Sequence, residues 1–266
     1  MALNSINTNS GALVALQNLN QTNRDLNVAQ SRVNTGLKIS SAKDNGAIFA
    51  IASAQRAEMS ALDSVKQSMQ RGQSIVDVAM AAGETITSAL TELKSLAVAI
   101  ADAPAASDTL TKLNADFDAI VTEINSALRG AKFDGVNLFD ANAAAITVKS
   151  STSGSFTVKA IASADTTAAT MGLPAGTRTV TAVESAINSF TGTLADLGTK
   201  SKSLDRQLTF TSKMQDALEA GVGNLVDADL AKESARLTAL QTKQQLGVQA
   251  LSIANQSSSI VLSLFR

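Results

Sequence analysis

The side chains that could carry out chemistry in this sequence are carboxylates, lysines and serines, because the chain has no histidine and no cysteine. Histidine is the commonest general base and metal ligand, and cysteine is needed for disulfides and thiolate sites. The acidic residues form no compact acid–base pair beside a nucleophile. Gly221-Val222-Gly223 lacks the strand and the further glycine of a nucleotide-binding loop. We therefore expect no catalytic site, no metal and no cofactor, and the chain is not expected to be an enzyme.

The charge and hydropathy patterns disfavour two further classes of partner. The formal net charge is −1 and no Lys/Arg cluster occurs, so we expect no nucleic acid binding. No window reaches about 18 apolar residues without a polar one, which predicts no membrane insertion. The start of the chain, residues 1–5, lacks the basic head and apolar run of a cleaved secretory signal.

The two ends of the chain differ from its middle in charge. No charged residue precedes Arg24, and none lies between Lys243 and Arg266. An exposed helix normally carries Lys and Glu on its outer face, whereas these ends carry Asn, Gln, Ser and Thr. We infer that both ends are built to contact other protein on every side.

Apolar residues at both ends recur every seven positions. The columns are Leu19, Leu26 and Val33 near the start, Leu246, Ile253 and Ile260 near the end, and Leu230, Leu237 and Leu251 beside the latter. This spacing predicts two amphipathic helices, one from each end, that pair side by side. Burial within such a pair is too small to offset the backbone entropy of ordering it. We expect the ends to be disordered in the free subunit and to fold when neighbouring copies cover them.

Three more helices are predicted between the ends. A seven-residue repeat indicates one long helix over about 47–101, which Pro104 should end. A second helix follows from the N-cap Ser107 to Gly130, its expected stop. A third, over about 180–222, completes a three-helix coiled bundle.

The segment between the second and third of these helices has a period of two. Ile146–Lys149 and Ser155–Ile161 alternate apolar and polar residues, with Gly154 between them and a Gly172–Gly176 turn region after them. This pattern predicts short strands in an exposed, Ser/Thr-rich insert. The expected fold is therefore mainly α, an elongated coiled-coil helical bundle with a small β-hairpin insert and paired N- and C-terminal helices.

Both ends carry sequence motifs of a known family. The start contains Ser5-Ile6-Asn7-Thr8-Asn9 and then residues 32–39, Arg-Val-Asn-Thr-Gly-Leu-Lys-Ile. The end contains residues 249–256, Gln-Ala-Leu-Ser-Ile-Ala-Asn-Gln, and a Phe133-Asp134-Gly135 turn follows the second bundle helix. In this order these motifs resemble bacterial flagellin, in a short form that resembles the alphaproteobacterial flagellins.

The resemblance implies a structural subunit that self-assembles into the bacterial flagellar filament used for motility. It implies an extracellular polymer whose partners are further copies of the chain, the flagellar cap and the hook-junction proteins. Export would use the flagellar type III export apparatus and an export chaperone, without a cleaved signal peptide. The alternative is a hook-filament junction protein, which shares the terminal helices but does not polymerise alone into long filaments.

The resemblance also implies a division of the chain and a set of assembly residues. Residues 1–46 and 224–266 would form an inner terminal coiled-coil domain, and 47–223 an outer three-helix domain with the β insert at about 131–179. The expected self-assembly residues are the apolar columns at both ends and the segment that links the two layers. They are Leu3, Ile6, Leu13, Leu16, Leu19, Leu26, Arg32, Val33, Gly36, Lys38, Asp44, Leu237, Leu240, Leu246, Leu251, Ile253, Ile260 and Leu264.

One stretch of the long helix resembles an immune-receptor region. Many flagellins carry Leu-x-Arg-x-x-Glu-Leu-Ala there, which docks on an innate immune receptor. Residues 90–97 here are Leu-Thr-Glu-Leu-Lys-Ser-Leu-Ala, so Glu92 stands in place of the arginine between Leu90 and Leu96. Because reversing a charge at a desolvated contact is costly, we expect weak receptor activation. The alternative is that Glu92 is an ordinary solvated helix position opposite Lys94 or a neighbour.

Overall fold

The computed structural model describes residues 9–139, 146–158 and 177–263. These residues form the helices α1 (Ser10–Thr35), α2 (Gly46–Asp102), α3 (Asp108–Gly130), α4 (Val180–Val226) and α5 (Leu230–Ser263). They also form two antiparallel hairpins, β1 (Lys132–Phe133) with β2 (Val136–Asn137) and β3 (Ile146–Lys149) with β4 (Ser155–Val158). The predicted fold class is confirmed in its mainly helical content, its paired terminal helices and its small β-hairpin.

The ends of the long helices lie close to the positions that the sequence predicts. α2 begins at Gly46, where the Asn45 Oδ1 atom accepts hydrogen bonds from the backbone N–H groups of Ala47 and Ile48 at 3.1 and 3.2 Å. Ser107 caps α3 as predicted, since its Oγ atom accepts from the Leu110 N–H at 3.1 Å. These caps satisfy N–H groups that a helix start otherwise leaves without partners.

The end of α3 differs in detail from the prediction. Gly130 is still helical, and Ala131 with φ −72° is the C-cap. The left-handed residues come later, at Asp134 (φ 48°) and Gly135 (φ 76°), which form the two-residue turn between β1 and β2. Positive φ at both central residues matches the twist of a tight hairpin, which explains the Asp-Gly sequence.

The middle of the chain, Glu58–Ala217, forms one compact unit around a common core. Lys94 pairs with Glu184 at 2.9 Å, whereas Gln215 near the other end of α4 donates to Asp63 at 2.8 Å, so α2 and α4 are antiparallel. The largest fully buried side chains are Leu62, Met69, Ile75, Ile86, Leu90, Leu93, Ile124, Leu128, Leu138, Phe139 and Leu197. Aliphatic side chains from α2, α3 and α4 therefore fill most of this core.

The β3–β4 hairpin packs on α2 within the same unit. Val148 is buried, and a Cβ atom placed on Gly72 of α2 would come within 2.5 Å of it. The Lys149 N–H donates to Ser68 Oγ at 3.1 Å. The second strand was predicted to reach Ile161, but β4 is described only to Val158. Residues 159–176, which include the predicted Gly172–Gly176 turn, lie outside the described residues.

The described residues contain neither a membrane-spanning helix nor a metal-binding cluster of side chains. No helix among them is long and apolar enough to cross a membrane. None of their acidic side chains gather in the groups of three or more that could hold a metal ion.

Candidate self-assembly interface

The two terminal helices pair in an antiparallel direction. At one end of the pair, the Asn9 Nδ2 atom donates to the Ala254 carbonyl oxygen at 2.7 Å. At the other, the Arg32 Nη1 atom lies 3.0 Å from the Glu233 Oε1 atom. The start of α1 therefore meets the end of α5, and both helices belong to a second compact unit, Met1–Ala57 with Leu218–Arg266.

The seam between α1 and α5 has the spacing of a coiled coil. At its middle, Gln244 Nε2 donates to Asn23 Oδ1 at 2.8 Å, and Gly247 lies against Leu19. Apart from Asn23, Asp25 and Arg32, the buried and half-buried positions alternate at steps of three and four. These alternating positions are Ala12, Ala15, Leu19, Thr22, Leu26, Ala29 and Val33 on α1, and Glu233, Leu237, Leu240, Gln244, Gly247, Leu251 and Ala254 on α5. Small side chains at several of these positions let the helix axes approach closely.

The faces of α1 and α5 that point away from the seam also carry apolar side chains. Leu13 and Val14 of α1 are 59% and 56% exposed, and Leu246, Val248 and Ile253 of α5 are 58%, 54% and 67% exposed. No charged residue lies between these positions on either helix. Exposed apolar side chains grouped on one element make these faces candidate surfaces for contact with another protein.

The predicted assembly residues fall into three groups in the structure. Leu19, Leu26, Val33, Leu237, Leu240 and Leu251 lie in the seam, whereas Leu13, Leu16, Leu246 and Ile253 are exposed. Arg32 bridges the pair, and Gly36, Lys38 and Asp44 lie in the segment after α1. Leu3, Ile6 and Leu264 lie outside the described residues, as does the side chain of Ile260.

The ion pair between Arg32 and Glu233 is largely withdrawn from water. Their side chains are 24% and 11% exposed, and a single hydrogen bond joins them. The Arg32 Nε and Glu233 Oε2 atoms are shielded from solvent and have no hydrogen-bond partner among the described residues. The pair therefore joins α1 to α5 at a considerable desolvation cost.

The segment that follows α1 is tied to the connection between α4 and α5. Gly36 ends α1 in the left-handed conformation (φ 72°), with its N–H donating to the Arg32 carbonyl oxygen at 2.9 Å. Its own carbonyl oxygen accepts from the Ala228 N–H at 2.9 Å, and the Lys38 N–H donates to the Val226 carbonyl oxygen at 2.7 Å. These bonds hold the two connections side by side.

Asp44 organises the turn before α2. Its Oδ2 atom accepts from the backbone N–H groups of Ser40 and Ser41 at 3.0 and 2.9 Å, and from their hydroxyl groups at 3.2 and 3.1 Å. The backbone hydrogen bonds from Ser40 and Ser41 lower the pKa of the Asp44 carboxyl group, because they stabilise its charged form. The Ser-Ser-x-x-Asp spacing is the sequence signal of this turn.

The same turn encloses a polar cleft of about 190 Å³ beside the last turns of α1. We call it the spoke cleft. Its lining residues are Asn27, Val28, Ser31, Arg32, Lys38, Ser40 and Asp44. The cleft thus contains two cations, one anion and several neutral donors.

The stretch that resembles an immune-receptor region is divided between core and surface. Leu90 is fully buried and Leu96 half-buried, whereas Glu92 is exposed. Lys94 forms its ion pair with Glu184 of α4. Of the three named positions, Glu92 is the one whose side chain is openly accessible.

Comparisons with known proteins bear on the whole chain. The model of the bacterial flagellin N-terminal helical region matches residues 6–144. The model of the bacterial flagellin C-terminal helical region matches residues 180–265. Together these matches include all five helices.

Individual relatives match over nearly their full length. Flagellin FljK of Caulobacter vibrioides is 54% identical, with 100% of each chain covered. A flagellin of Brucella melitensis is 39% identical, over 98% of this chain and 99% of that one. The crystal structure of Bacillus cereus flagellin aligns with a TM-score of 0.47 and 19% identity, over 54% of this chain and 88% of the other.

Proposed function

The chain belongs to the bacterial flagellin family, and from this premise we propose how its subunits make contact. It is a structural subunit that self-assembles into the extracellular flagellar filament used for motility. In our proposal, the exposed apolar faces of α1 and α5 are the surfaces that neighbouring subunits cover.

The observation that carries the proposal is the pair of exposed, uncharged helix faces. Leu13 and Val14 on α1 and Val248 and Ile253 on α5 are each more than half exposed in the single chain. Burying one such side chain contributes roughly 1.5 to 3 kcal/mol. Covering them with the same faces of other copies requires no charged group to lose its water, since none lies on them.

Assembly and folding of the ends are coupled in this mechanism. The seam between α1 and α5 buries mainly small and medium side chains, and few of its positions are fully buried in one chain. Neighbouring copies supply the remaining burial that stabilises both helices. The free subunit therefore keeps an ordered middle unit and loses order at its ends.

We extend the proposal to the finer assignments that the family resemblance implies. Residues 1–46 with 224–266 form the inner terminal domain of the filament, and 47–223 the outer domain. The chain leaves the cell through the flagellar type III export apparatus, guided by an export chaperone. It then assembles beneath the cap, beyond the hook-junction proteins, and has no enzymatic activity.

The alternative, a hook-filament junction protein, is not favoured. The full-length relatives at 39% to 54% identity carry the name flagellin. A filament protein differs from a junction protein in that purified subunits lengthen seeds without limit.

The experiment is seeded assembly of purified subunits, followed by electron microscopy and by the critical concentration for growth. We expect Ile253→Asp to raise the critical concentration at least tenfold, because a carboxylate would have to lose water in the contact. The matched control is Ile253→Val, which keeps an apolar side chain at the same position and should grow filaments nearly as the unaltered chain does.

Circular dichroism of the soluble subunit separates an assembly defect from misfolding, since Ile253→Asp should keep the helix content of the unaltered subunit. Growth of Ile253→Asp at the critical concentration of the unaltered chain would contradict the proposed contact. Seeds that never lengthen with the unaltered chain would instead favour the junction protein.

A further inference from the structure

The spoke cleft is lined by a cation that has no ion-pair partner among the described residues. Arg32 is paired with Glu233, and the Oδ2 atom of Asp44 is taken by Ser40 and Ser41. Lys38 is exposed and forms no ion pair with any described residue. It therefore places an unused positive charge at a polar cleft.

The size and lining of the cleft suit one acidic side chain. Its volume of about 190 Å³ leaves room for one carboxylate group. Asn27 and Ser31 supply neutral hydrogen-bond donors beside Lys38. A carboxylate that entered would gain a charge-assisted hydrogen bond from Lys38, against the repulsion of the Asp44 carboxylate in the same lining.

The two compact units of the chain carry opposite net charges. Met1–Ala57 and Leu218–Arg266 contain nine basic and six acidic residues, whereas Glu58–Ala217 contains 13 basic and 17 acidic residues. In a polymer of identical chains, the middle unit of one copy is therefore attracted electrostatically to the terminal unit of another copy. The source of acidic side chains for Lys38 is thus a second copy of this chain.

We infer that the spoke cleft binds, through Lys38, a carboxylate side chain from residues 58–217 of a neighbouring subunit. The inference rests on the proposed function, because it requires a filament. It adds to the apolar contacts an electrostatic one that fixes the axial position of one copy against the next. Screening by salt should weaken this contact and leave the apolar ones in place.

The test uses filaments grown from an equal mixture of unlabelled and ¹⁵N-labelled unaltered chains. A zero-length carbodiimide coupling joins an amine to a carboxylate that touches it, and mass spectrometry identifies the joined peptides. We expect Lys38 joined to an acidic residue of 58–217, with half of the product carrying one light and one heavy peptide. Products with both peptides always of the same label would place the contact within one chain and overturn the inference.

Lys43 provides the matched control, since it is exposed, lies five residues from Lys38 and does not line the cleft. In low salt we expect Lys38→Gln to raise the critical concentration three- to tenfold and Lys43→Gln to leave it within twofold, the difference closing in high salt. Acetylation of intact filaments measures how accessible each lysine is. Acetylation of Lys38 as fast as Lys43, together with no joined Lys38 peptide, would overturn the inference. The proposed function would still stand, because the filaments would have grown.

Discussion

Gly247 of α5 lies so close to Leu19 of α1 that a Cβ atom added to the glycine would come within 3.2 Å of the leucine Cδ1 atom. The close approach explains a glycine inside a long helix, where it costs about 1 kcal/mol relative to alanine. It also means that the width of the seam at this point is set by the absence of a side chain.

We predict that Gly247→Ala changes filament stability little, because the gain in helix propensity offsets a small displacement of Leu19. Gly247→Val should destabilise the pair by about 1 to 3 kcal/mol, since a branched side chain overpacks the seam. The measurement is the temperature at which filaments dissociate. Gly221→Ala is the control, because nothing lies within 4 Å of its added Cβ atom. Equal dissociation temperatures for Gly247→Val and the unaltered filament would contradict the prediction.

The Arg32–Glu233 pair should behave as one unit in assembly. Removing either partner leaves the other charge poorly hydrated, so we expect Arg32→Met and Glu233→Met each to weaken filaments by about 2 to 4 kcal/mol. The double variant should lose less than the sum of the two, because neither charge then remains. The critical concentrations of the unaltered chain, the two single variants and the double variant give the coupling free energy between the two side chains. If the two single losses simply add in the double variant, the ion pair does not contribute to assembly.

The sequence predicts the helices well but not which of their faces meet. Leu246 and Ile253 have the same seven-residue spacing as a seam, yet both are exposed. The seam instead includes Glu233, Gln244 and Gly247, whose residue types carry no apolar signal. Apolar periodicity cannot distinguish the two faces when both are apolar, because one packs within the chain and the other awaits other copies.

The positions at which helices begin and end were easier to predict than the contacts between residues far apart in the chain. The Ser107 cap follows from a local residue preference and is confirmed. The bond between Asn9 and Ala254 joins residues 245 positions apart, and no local pattern indicates it. The spoke cleft likewise depends on a chain reversal that brings Lys38 and Ser40 back beside α1.

The turn around Asp44 should make assembly sensitive to acid. Because the pKa of Asp44 is lowered, its contribution is complete above the ordinary value of 3.8 and is lost as the pH falls through the lowered value. We expect Asp44→Ala to raise the critical concentration at neutral pH, and its difference from the unaltered chain to shrink below pH 3.8. Lys43→Ala serves as control and should show no such convergence. If the critical concentrations of Asp44→Ala and the unaltered chain differ by the same factor above and below pH 3.8, titration of Asp44 is not the cause of the acid sensitivity.

Glu92 should weaken binding of the subunit by the innate immune receptor that recognises the resembling motif in other flagellins. We predict that Glu92→Arg raises the response of receptor-reporter cells to soluble subunit severalfold, because it restores the charge of the resembling motif. Ser88→Arg adds the same charge at an exposed position of α2 outside residues 90–97 and should have little effect. A strong response to the unaltered chain, or equal responses to both variants, would refute the role of Glu92.

Gly72 should be required for the β3–β4 hairpin to dock on α2. An added Cβ atom would lie 2.5 Å from the Val148 Cγ2 atom, so Gly72→Ala must displace the buried valine. We expect a loss of about 1 to 3 kcal/mol in the free energy of unfolding, measured with urea on the soluble subunit. Gly198→Ala of α4 is the control, because its added Cβ atom meets nothing within 4 Å, and it should stabilise the helix by up to about 1 kcal/mol.

Val148→Ala combined with Gly72→Ala should cost less than the sum of the single changes, since the smaller side chain removes the clash. Additive losses would show that the two residues do not touch, and the hairpin would then be held by its hydrogen bond to Ser68 and by its own ladder.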